Sequence, residues 1–342
     1  MSLRTYPLIV HPAYQELIAA SLVFGKSAER AAELDVVFTV PPLRDTREIG
    51  NYLGISPEII WSVLTLNHKA YRHFEVRKRS GGVRRISAPR TYLKVIQWWI
   101  LDTILPAAKI SDKAYGFVRG RSFVDNAEHH LGSNYILNVD IKDFFPSVSF
   151  VRVVSLFREL GYDPHVANGL AKLTTMFNGL PQGAPTSPAI ANAICLSLDS
   201  ELDELAYSLG MKYSRDADDI TFSSSRKMPA SLLPTLVETI GRHGFNLNDA
   251  KTRFMGKNQR KEITGLVLGQ SAVAVDRKYL NSLRGWTHAL EVSNVPNPSD
   301  FERLRGTLEF VRMVGGRGSS AILQHGDRAL AKMKRLLSES AI

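Results

Sequence analysis

The segment KYSRDADDITFSSS, residues 212–225, decides how this chain is interpreted, because it places a dense acidic cluster between two short apolar segments. Asp216, Asp218 and Asp219 fall within four positions, and apolar and polar residues alternate after them. Alternation with a period of two predicts a strand, a tight turn and a second strand, with the acids at the tip. Aspartates in turns are commonly solvated, and that is the alternative interpretation of this cluster.

The acidic cluster also fits a cation-binding site. Like charges a few ångströms apart repel each other by roughly 1 kcal/mol in water and by more when partly buried, so a divalent cation would offset this cost. Asp140 ends the apolar part of NVDIKDFF (138–145), where side chains leave the core, and Asp143 begins the following helix. Carboxylate oxygens suit Mg²⁺, and two-metal phosphoryl transfer needs ions roughly 3.5 to 4 Å apart. The sequence therefore predicts that Asp140, Asp218 and Asp219 hold two Mg²⁺ ions.

Composition indicates a globular protein with an acidic partner. The chain has 342 residues and a formal net charge of +10, and nucleic acid is the commonest partner of a basic protein. Its one cysteine, Cys195, excludes a disulfide framework and a multi-cysteine metal site, and we expect it in the core. No apolar run approaches the roughly 18 residues of a membrane span, and no export signal is visible. We therefore expect a cytoplasmic protein with no membrane partner.

The pattern along the chain predicts an α+β fold. Helical periodicity covers residues 11–34 and 46–66, and a strongly basic strand pair follows at 71–94, with its turn at Gly81-Gly82. Helices then alternate with strand pairs before a helical C-terminal segment with basic faces. We expect three regions, which are a helical N-terminal region (1–70), a sheet covered by helices (71–275) and a helical C-terminal region (276–342).

Six segments, in chain order, resemble the motifs of reverse transcriptases. They are FEVRKRSGGVRRISAPRTYLKVIQ (74–97), VDIKDFF (139–145), LPQGAPTSPAIAN (180–192), ADDITFS (217–223), FNLNDAKT (245–252) and EITGLVLG (262–269). In that family they correspond to the fingers, the first catalytic motif, the template and nucleotide motif, the second catalytic motif, and the closing palm motifs with the primer grip. The resemblance covers roughly residues 70–275, and the ordered set is much more specific than any one segment. It implies an RNA-directed DNA polymerase with a right-hand fold of fingers, palm and helical thumb.

Two further segments resemble the bacterial retron-type enzymes in particular. NAEHH (126–130) matches the pattern Asn-Ala-x-x-His, with Asn126 and His130 in the matching places. ITG, which contains Thr264, is similar to the retron triplet Val-Thr-Gly, with Ile263 in place of valine. In that family these regions are linked to recognition of the cognate RNA, so the resemblance implies this role for Asn126, His130 and Thr264. Without it, the histidine pair is typical of a solvent-facing helix.

The resemblance also implies a role for each residue around the metal site. Asp140 and Asp218 would hold the ions, and Asp219 would complete or support the site. Mn²⁺ is a possible substitute for Mg²⁺. Lys251 would protonate the pyrophosphate leaving group, although a surface lysine is the equally simple interpretation.

The nucleotide and the primer have their own candidate residues. Lys78 and Arg84, on the basic hairpin, would close on the incoming triphosphate. Phe145 would exclude a ribonucleotide by meeting its 2'-hydroxyl, while core packing is the expected task of the neighbouring Phe144. The remaining candidates lie in two glycine-containing motifs; Gln182 and Gly183 would let the backbone approach the nascent base pair, and Gly265 and Leu266 would hold the primer end.

One residue departs from the family pattern. The residue two before the paired aspartates is usually tyrosine, but it is Asp216 here, which gives Asp-Ala-Asp-Asp. Losing the ring forfeits apolar contact with the primer-template, and the carboxylate adds negative charge beside the metal ligands. This change could weaken polymerisation, alter the metal requirement or reflect an adapted or engineered variant.

The resemblance implies a retron enzyme that copies part of a cognate structured non-coding RNA, of the msr–msd type, into single-stranded DNA. In this family dNTPs are added from a guanosine 2'-hydroxyl to give branched RNA–DNA, and the product acts in antiviral defence with an effector protein. A catalytically weak RNA-binding scaffold for an effector is one alternative, and an intron-encoded maturase is another. We also expect basic residues of the C-terminal helices to track phosphates, namely Arg277, Lys278, Arg284, Arg303, Arg305, Arg312, Lys332, Lys334 and Arg335.

Overall fold

The computed structural model describes residues 39–77, 81–293, 295, 297–316 and 319–339. These residues form α-helices and antiparallel sheets, as the α+β prediction requires. The helix predicted over 11–34 and the nucleotide-binding candidate Lys78 lie outside the described residues. Among the described helices, none combines the length and the apolar character needed to cross a bilayer.

The described residues form thirteen α-helices and nine strands. The helices are α1 (Ile49–Leu53), α2 (Pro57–Thr65), α3 (Thr91–Thr103), α4 (Phe123–His129), α5 (Phe144–Ser147), α6 (Phe150–Glu159), α7 (Pro164–Thr174), α8 (Ser187–Ile194), α9 (Leu196–Ser208), α10 (Leu232–Arg242), α11 (Arg277–Val292), α12 (Pro298–Val314) and α13 (Ser319–Glu339). The strands are β1 (Tyr71–Arg77), β2 (Val83–Pro89), β3 (Tyr135–Asp140), β4 (Lys212–Asp216), β5 (Asp219–Ser224), β6 (Arg253–Met255), β7 (Glu262–Ile263), β8 (Leu266–Leu268) and β9 (Val273–Ala274). Short 3₁₀ turns include Thr46–Glu48, Asn67–Ala70, Leu105–Ala107 and Asp249–Lys251.

The chain divides into two compact units, each built from several segments. The first unit contains the described residues up to Phe117 together with Ile141–Glu201 and Glu238–Asn246. The second unit contains Val118–Asp140, Leu202–Val237 and the described residues from Leu247 onward.

The first unit contains the basic hairpin and a helical core. Strands β1 and β2 pair antiparallel from Tyr71 opposite Pro89 to Arg77 opposite Val83. Gly81 and Gly82, which precede β2, have φ values of +85° and +77°, a conformation that glycine adopts without strain. Helix α3 buries Trp99 completely, which anchors the helices of this unit around an aromatic core.

The second unit is built on a four-stranded antiparallel sheet with the strand order β4-β5-β3-β6. Helix α4 contacts β4, and it also contacts β8 and β9 of a separate three-stranded sheet. Helix α13 packs on both α11 and α12, and the apolar residues of all three share one core with Val124 and Ala127 of α4. Helix α4 therefore connects β4 of the four-stranded sheet to the three-stranded sheet and to the core of the C-terminal helices.

One helical segment is divided in the structure. The apolar periodicity over residues 188–210 predicts a single helix, but two helices, α8 and α9, meet there at Cys195. Backbone hydrogen bonds continue across the junction, because Cys195 N–H bonds to Ala191 O and Asp199 N–H bonds to Cys195 O. Cys195 is buried, as expected for a small core residue.

Candidate active site

The predicted acidic residues lie at one end of the four-stranded sheet. Asp140 is the last residue of β3 and pairs directly with Asp219, the first residue of β5. Asp219 also pairs with Asp216, the last residue of β4, and Asp218 lies in the turn between them. Directly paired residues of antiparallel strands have Cβ atoms roughly 4.5 to 5.5 Å apart and share a face of the sheet. The fold therefore brings all four aspartates together.

The turn that carries Asp218 is held in an unusual conformation. Ala217 has a φ of +56°, which lies in the left-handed region that is rare for a residue with a side chain. Arg215, which is fully buried on β4, donates a hydrogen bond from Nη1 to Ala217 O at 3.1 Å. Arg215 lies between Ser214 and Asp216 on β4, and no local sequence pattern indicates its role. Its guanidinium fixes the turn from within the protein.

Asp140 is tied to the segment that follows β5 and α10 in the chain. Its carboxyl side chain is almost fully buried, with the residue 4% exposed, and its backbone carbonyl accepts a hydrogen bond from Asn248 N–H at 2.8 Å. This bond places the 3₁₀ turn Asp249–Lys251 beside the sheet. The Lys251 ammonium group then donates to Asp140 Oδ2, in an ion pair whose lysine side chain is 53% exposed.

The electrostatics of the site reflect the crowding of like charges. Burial raises the pKa of Asp219 to about 6, and the charges of Asp218 and Asp140 act in the same direction. Burial and the charge of Asp218 also raise the pKa of Asp216. Burial opposes the charged form of Lys251, but its hydrogen bond to Asp140 and the surrounding carboxylates outweigh this effect and raise its pKa. The site therefore attracts positive charge.

Comparison with known proteins identifies the family. A family model described as reverse transcriptase (RNA-dependent DNA polymerase) matches residues 76–269. Retron Ec86 reverse transcriptase of Escherichia coli is 32% identical over 289 residues, which cover 84% of this chain and 89% of that protein. The chain belongs to the retron reverse transcriptases. Retron Mx162 reverse transcriptase of Myxococcus xanthus is 36% identical over 278 residues, which cover 71% of this chain and 57% of that protein.

This retron reverse transcriptase is an RNA-directed DNA polymerase, and the family requires a divalent metal ion. Within the part of the chain that the structure describes, no three His, Cys, Asp or Glu side chains are already arranged to hold such an ion. The donor set nevertheless fits one, because three paired or adjacent carboxylates supply hard oxygen ligands at one end of the sheet. Lys251 supplies a counter-charge to Asp140 in this arrangement.

Among the described residues of the retron enzyme, the nucleotide-binding candidates Arg84, Gln182 and Gly183 lie in the first unit. Arg84 is exposed on β2, where it pairs with Val76. Gln182 accepts a hydrogen bond at its backbone oxygen from Ser87 N–H at 2.8 Å, so the LPQG loop is attached to β2. Gly183 has a φ of +127°, and a Cβ there would lie 2.9 Å from Ile86 Cγ2, so only glycine fits. The fold thus joins these three candidates in one unit.

Phe145 differs from its neighbour as the sequence predicts. Phe144 is buried and packs its ring 6.1 Å from that of Phe245, which makes it a core residue. Phe145 is only half-buried, with its ring centroid 5.3 Å from that of Phe144 and 6.3 Å from that of Phe117. Asp143 lies at the start of α5 in a left-handed conformation, and its side chain forms no capping hydrogen bond.

The residues linked by resemblance to RNA and primer have different environments. Asn126 and His130 are fully buried, so the solvent-facing histidine pair offered as the alternative is wrong for His130. Thr264 has a φ of +48° and donates from Oγ1 to Phe123 O at 3.1 Å. Gly265, at φ +80°, is exposed, whereas the Leu266 side chain is fully buried in the core of the second unit. Leu266 therefore has only its backbone to offer a primer.

Proposed function

We propose that this enzyme copies part of a cognate structured non-coding RNA into single-stranded DNA, beginning from a guanosine 2'-hydroxyl so that the product is branched RNA–DNA. The observation that carries this proposal is the pairing of Asp140 with Asp219 beside Asp218, at a strand end that attracts positive charge. The family supports it through the retron relatives and through the retron-type segments NAEHH and ITG. The template is an RNA of the msr–msd type, and the substrates are dNTPs.

The acidic residues have one task each in this proposal. Asp140 and Asp218 hold two Mg²⁺ ions, with Mn²⁺ as a substitute, and Asp219 completes the site. The ions, when bound, activate the attacking oxygen and stabilise the charge on the leaving group. Burial and the backbone hydrogen bond from Asn248 N–H hold Asp140 in place, so its carboxylate stays at the end of β3.

The surrounding residues bind and orient the substrates. Lys251, whose raised pKa keeps it protonated at neutral pH, donates a proton to the departing pyrophosphate. Lys78 and Arg84 bind the triphosphate. Phe145 selects against a ribonucleotide through its half-exposed ring. The backbone of Gln182 and Gly183 contacts the nascent base pair, and Gly265 with Leu266 holds the primer end.

In this proposal the regions of the protein correspond to parts of a right-hand polymerase. Residues 71–275 correspond to the fingers and palm of a right-hand polymerase, and residues 276–342 correspond to a helical thumb. We propose that the thumb binds the RNA backbone through its basic helices. The branched product acts in antiviral defence with an effector protein, in the cytoplasm, and this part of the proposal is supported by the retron resemblance alone.

The first experiment tests synthesis and its dependence on the carboxylates. The purified protein, with its co-purified RNA, is incubated with labelled dNTPs and Mg²⁺, and the products are separated before and after treatment with ribonuclease. We expect DNA that stays attached to RNA at one guanosine, and its loss in Asp218→Asn. The control is Asp249→Asn, which removes an exposed carboxylate on the 3₁₀ turn that also carries Lys251.

The same assay separates this proposal from its alternatives. A protein that binds its RNA tightly but forms no DNA with Mg²⁺ or Mn²⁺ would be the RNA-binding scaffold. Replacing the branching guanosine with its 2'-deoxy form stops synthesis if priming uses the 2'-hydroxyl. Continued synthesis on that RNA would indicate ordinary 3'-end priming, as an intron-type enzyme uses, and would overturn the branched product.

A further inference from the structure

Helix α4 and His130, the residue after it, form a buried network of polar side chains. This network reaches both strands of the β4–β5 hairpin, which carries Asp216, Asp218 and Asp219. Ser214, on β4, donates from Oγ to Asn126 Oδ1 at 2.5 Å. The His130 ring bridges a serine of each strand, with Nε2 at 2.7 Å from Ser214 Oγ and Nδ1 at 2.7 Å from Ser223 Oγ. Ser133 donates from Oγ to Ser223 Oγ at 2.9 Å. Asn126 is 1% exposed and His130 is 0% exposed, so water does not replace these bonds.

The donor and the acceptor of each hydrogen bond in this side-chain network follow from the number of protons available. Ser214 has one hydroxyl proton and gives it to Asn126, so its oxygen must accept, and His130 Nε2 must be the protonated nitrogen. A neutral ring then leaves Nδ1 as an acceptor, which takes the proton of Ser223. Ser223 in turn accepts from Ser133. All members are satisfied by one tautomer of a neutral histidine, and such fully satisfied buried networks specify one arrangement.

The two serines lie on the same face of the sheet as the acidic residues. Side chains alternate along a strand, so Ser214 shares its face with Asp216, about 7 Å further along β4. Ser223 likewise shares a face with Asp219, roughly 13 Å along β5. The register confirms that this is one face, because Asp216 pairs with Asp219 and Asp219 with Asp140. The His130 ring therefore joins β4 and β5 on the face that presents the carboxylates.

The other end of α4 is attached to the ITG turn and to the C-terminal helices. Phe123, the first residue of α4, accepts a hydrogen bond at its backbone oxygen from Thr264 Oγ1. The Phe123 ring stacks on that of Phe310 of α12, with ring centroids 5.7 Å apart. Val124 and Ala127 are buried in the core shared with α11, α12 and α13. The two retron-type segments are therefore parts of one connected structure.

We propose that Asn126 and His130 are positioning residues for DNA synthesis, which fix the separation and register of β4 and β5 and thereby hold the carboxylates of the hairpin in place. They act from inside the protein and do not contact RNA. This inference rests on the proposed role of Asp218 and Asp219 in holding the metal ions. It also accounts for the spacing of the two residues. Positions four residues apart lie on the same side of a helix, so Asn126 and His130 can both face the β4–β5 hairpin.

The test measures catalysis and RNA binding separately in four variants. His130→Phe keeps a ring of similar size but neither nitrogen, and His130→Gln restores one amide beside Ser214. Asn126→Leu removes the acceptor of the Ser214 hydroxyl. Glu128→Gln, an exposed change on the same helix, is the matched control. Each is assayed with poly(rA) annealed to oligo(dT), a template that requires no cognate RNA, and affinity for the co-purified RNA is measured by filter binding.

We expect kcat for dTTP incorporation to fall about tenfold or more in His130→Phe and in Asn126→Leu, because buried hydrogen-bond partners are left unsatisfied. The KM for dTTP and the affinity for RNA should stay within about twofold of the parent. Such a change is much smaller than the expected tenfold fall in kcat, which corresponds to about 1.4 kcal/mol. His130→Gln should lie between the parent and His130→Phe. The burst amplitude of each variant gives the fraction of competent sites, so a fall in kcat per site is distinguished from partial unfolding.

Two results would overturn the inference. One is His130→Phe with a normal kcat on the homopolymer and weakened binding of the RNA, which would indicate direct RNA contact. The other is His130→Phe and Asn126→Leu with the parent's kcat per competent site and the parent's RNA affinity. Asp218→Asn is run in parallel, because retained synthesis there would refute the proposed metal site itself. Loss of synthesis in Asp218→Asn with no effect in His130→Phe would refute only the positioning role.

Discussion

Asp140 lies directly opposite Asp219 in the antiparallel register of β3 and β5, so two carboxylates that are 79 positions apart in the sequence share one strand end. The pairing is unfavourable without a cation, because burial raises the pKa of Asp219 from 3.8 to about 6 and the charge of Asp140 adds to this effect. Removing one of these carboxylate charges should therefore increase the stability of the metal-free enzyme and decrease its metal-dependent activity.

The first prediction concerns Asp219→Asn. A carboxyl with a raised pKa binds its proton more tightly in the folded state, so its contribution to stability is full below about pH 4 and is lost as the pH rises through about 6. In buffer with a chelator, the Tm of Asp219→Asn should exceed that of the parent at neutral pH, and the difference should vanish at low pH. Primer extension should fall at the same time. A variant with a lower Tm at neutral pH would contradict this account.

The second prediction separates proton donation by Lys251 from its ion pair with Asp140. Lys251→Arg keeps a positive charge beside Asp140 but cannot release its proton, so kcat should fall by roughly 10² to 10⁴, the usual contribution of a general acid. Single-nucleotide incorporation is the measurement. Lys257→Met, an exposed lysine on the following turn, is the control and should keep the parent's kcat. An unimpaired Lys251→Arg would show that only the charge matters.

The third prediction concerns Asp216, the departure from the family pattern. It pairs with Asp219, and its negative charge adds to the attraction for cations. Asp216→Asn should raise the Mg²⁺ concentration for half-maximal synthesis about fivefold, the factor for roughly 1 kcal/mol of lost attraction. Asp216→Glu retains the charge and should need no more Mg²⁺ than the parent. An unchanged Mg²⁺ requirement in Asp216→Asn would show that this carboxylate does not face the ions.

The tyrosine variant tests the apolar part of the same position. Asp216→Tyr restores the ring that the family pattern contains, which should add contact area for a primer-template. We expect a lower KM for primer-template than in Asp216→Asn, with the same raised Mg²⁺ requirement. A KM equal to that of Asp216→Asn would mean that the ring contacts nothing in the primer-template.

The sequence predicted the elements that hold the carboxylates because their signals are local. The alternation around Ile220 and Phe222 predicts β5, and the apolar run before Asp140 predicts β3, both as observed. The glycine pair at 81 and 82 predicts the basic hairpin in the same way. Helix α7 was not anticipated, although Asp163 accepts a capping hydrogen bond from His165 N–H and Pro164 begins the helix.

Burial of polar residues could not be predicted, since it depends on partners far away in the sequence. His130 is buried because Ser214 and Ser223 accept and donate at its two nitrogens, 84 and 93 positions later. Arg215 is buried because the turn offers it a carbonyl. Met313 shows the opposite case, since an apolar side chain in a helical segment indicates a core position, yet it is 52% exposed on α12. The strands and helices could be predicted from the sequence pattern, but the burial or exposure of these side chains could not.

The fourth prediction concerns the expected phosphate contacts of the C-terminal helices. Arg277 and Arg284 of α11 line a cavity of about 600 Å³ together with Arg260. Arg312 instead forms ion pairs with Glu309 and Asp327, so its charge is already compensated. Arg284→Gln should reduce the slope of log affinity against log salt by about 0.7 to 0.9 for each phosphate that the arginine neutralises in the parent.

The matched control for this prediction is Arg312→Gln, measured with the same RNA over the same salt series. Its slope should equal that of the parent, because a guanidinium held by two carboxylates releases no counterion from the RNA. Equal slopes for Arg284→Gln and the parent would exclude Arg284 from the phosphate contacts.

The fifth prediction follows from the neutral state of His130. Burial lowers the pKa of His130 well below its usual 6.5, and the neighbouring His129 and the Lys212 ammonium group add to this effect. Since the unfolded chain binds a proton near pH 6.5 and the folded protein does not, stability is full above that pH and is lost as the pH falls below it. One such group adds up to about 1.4 kcal/mol per pH unit to the slope of the unfolding free energy. Urea unfolding from about pH 7 to 5 should therefore show a smaller dependence of the unfolding free energy on pH in His130→Phe than in the parent.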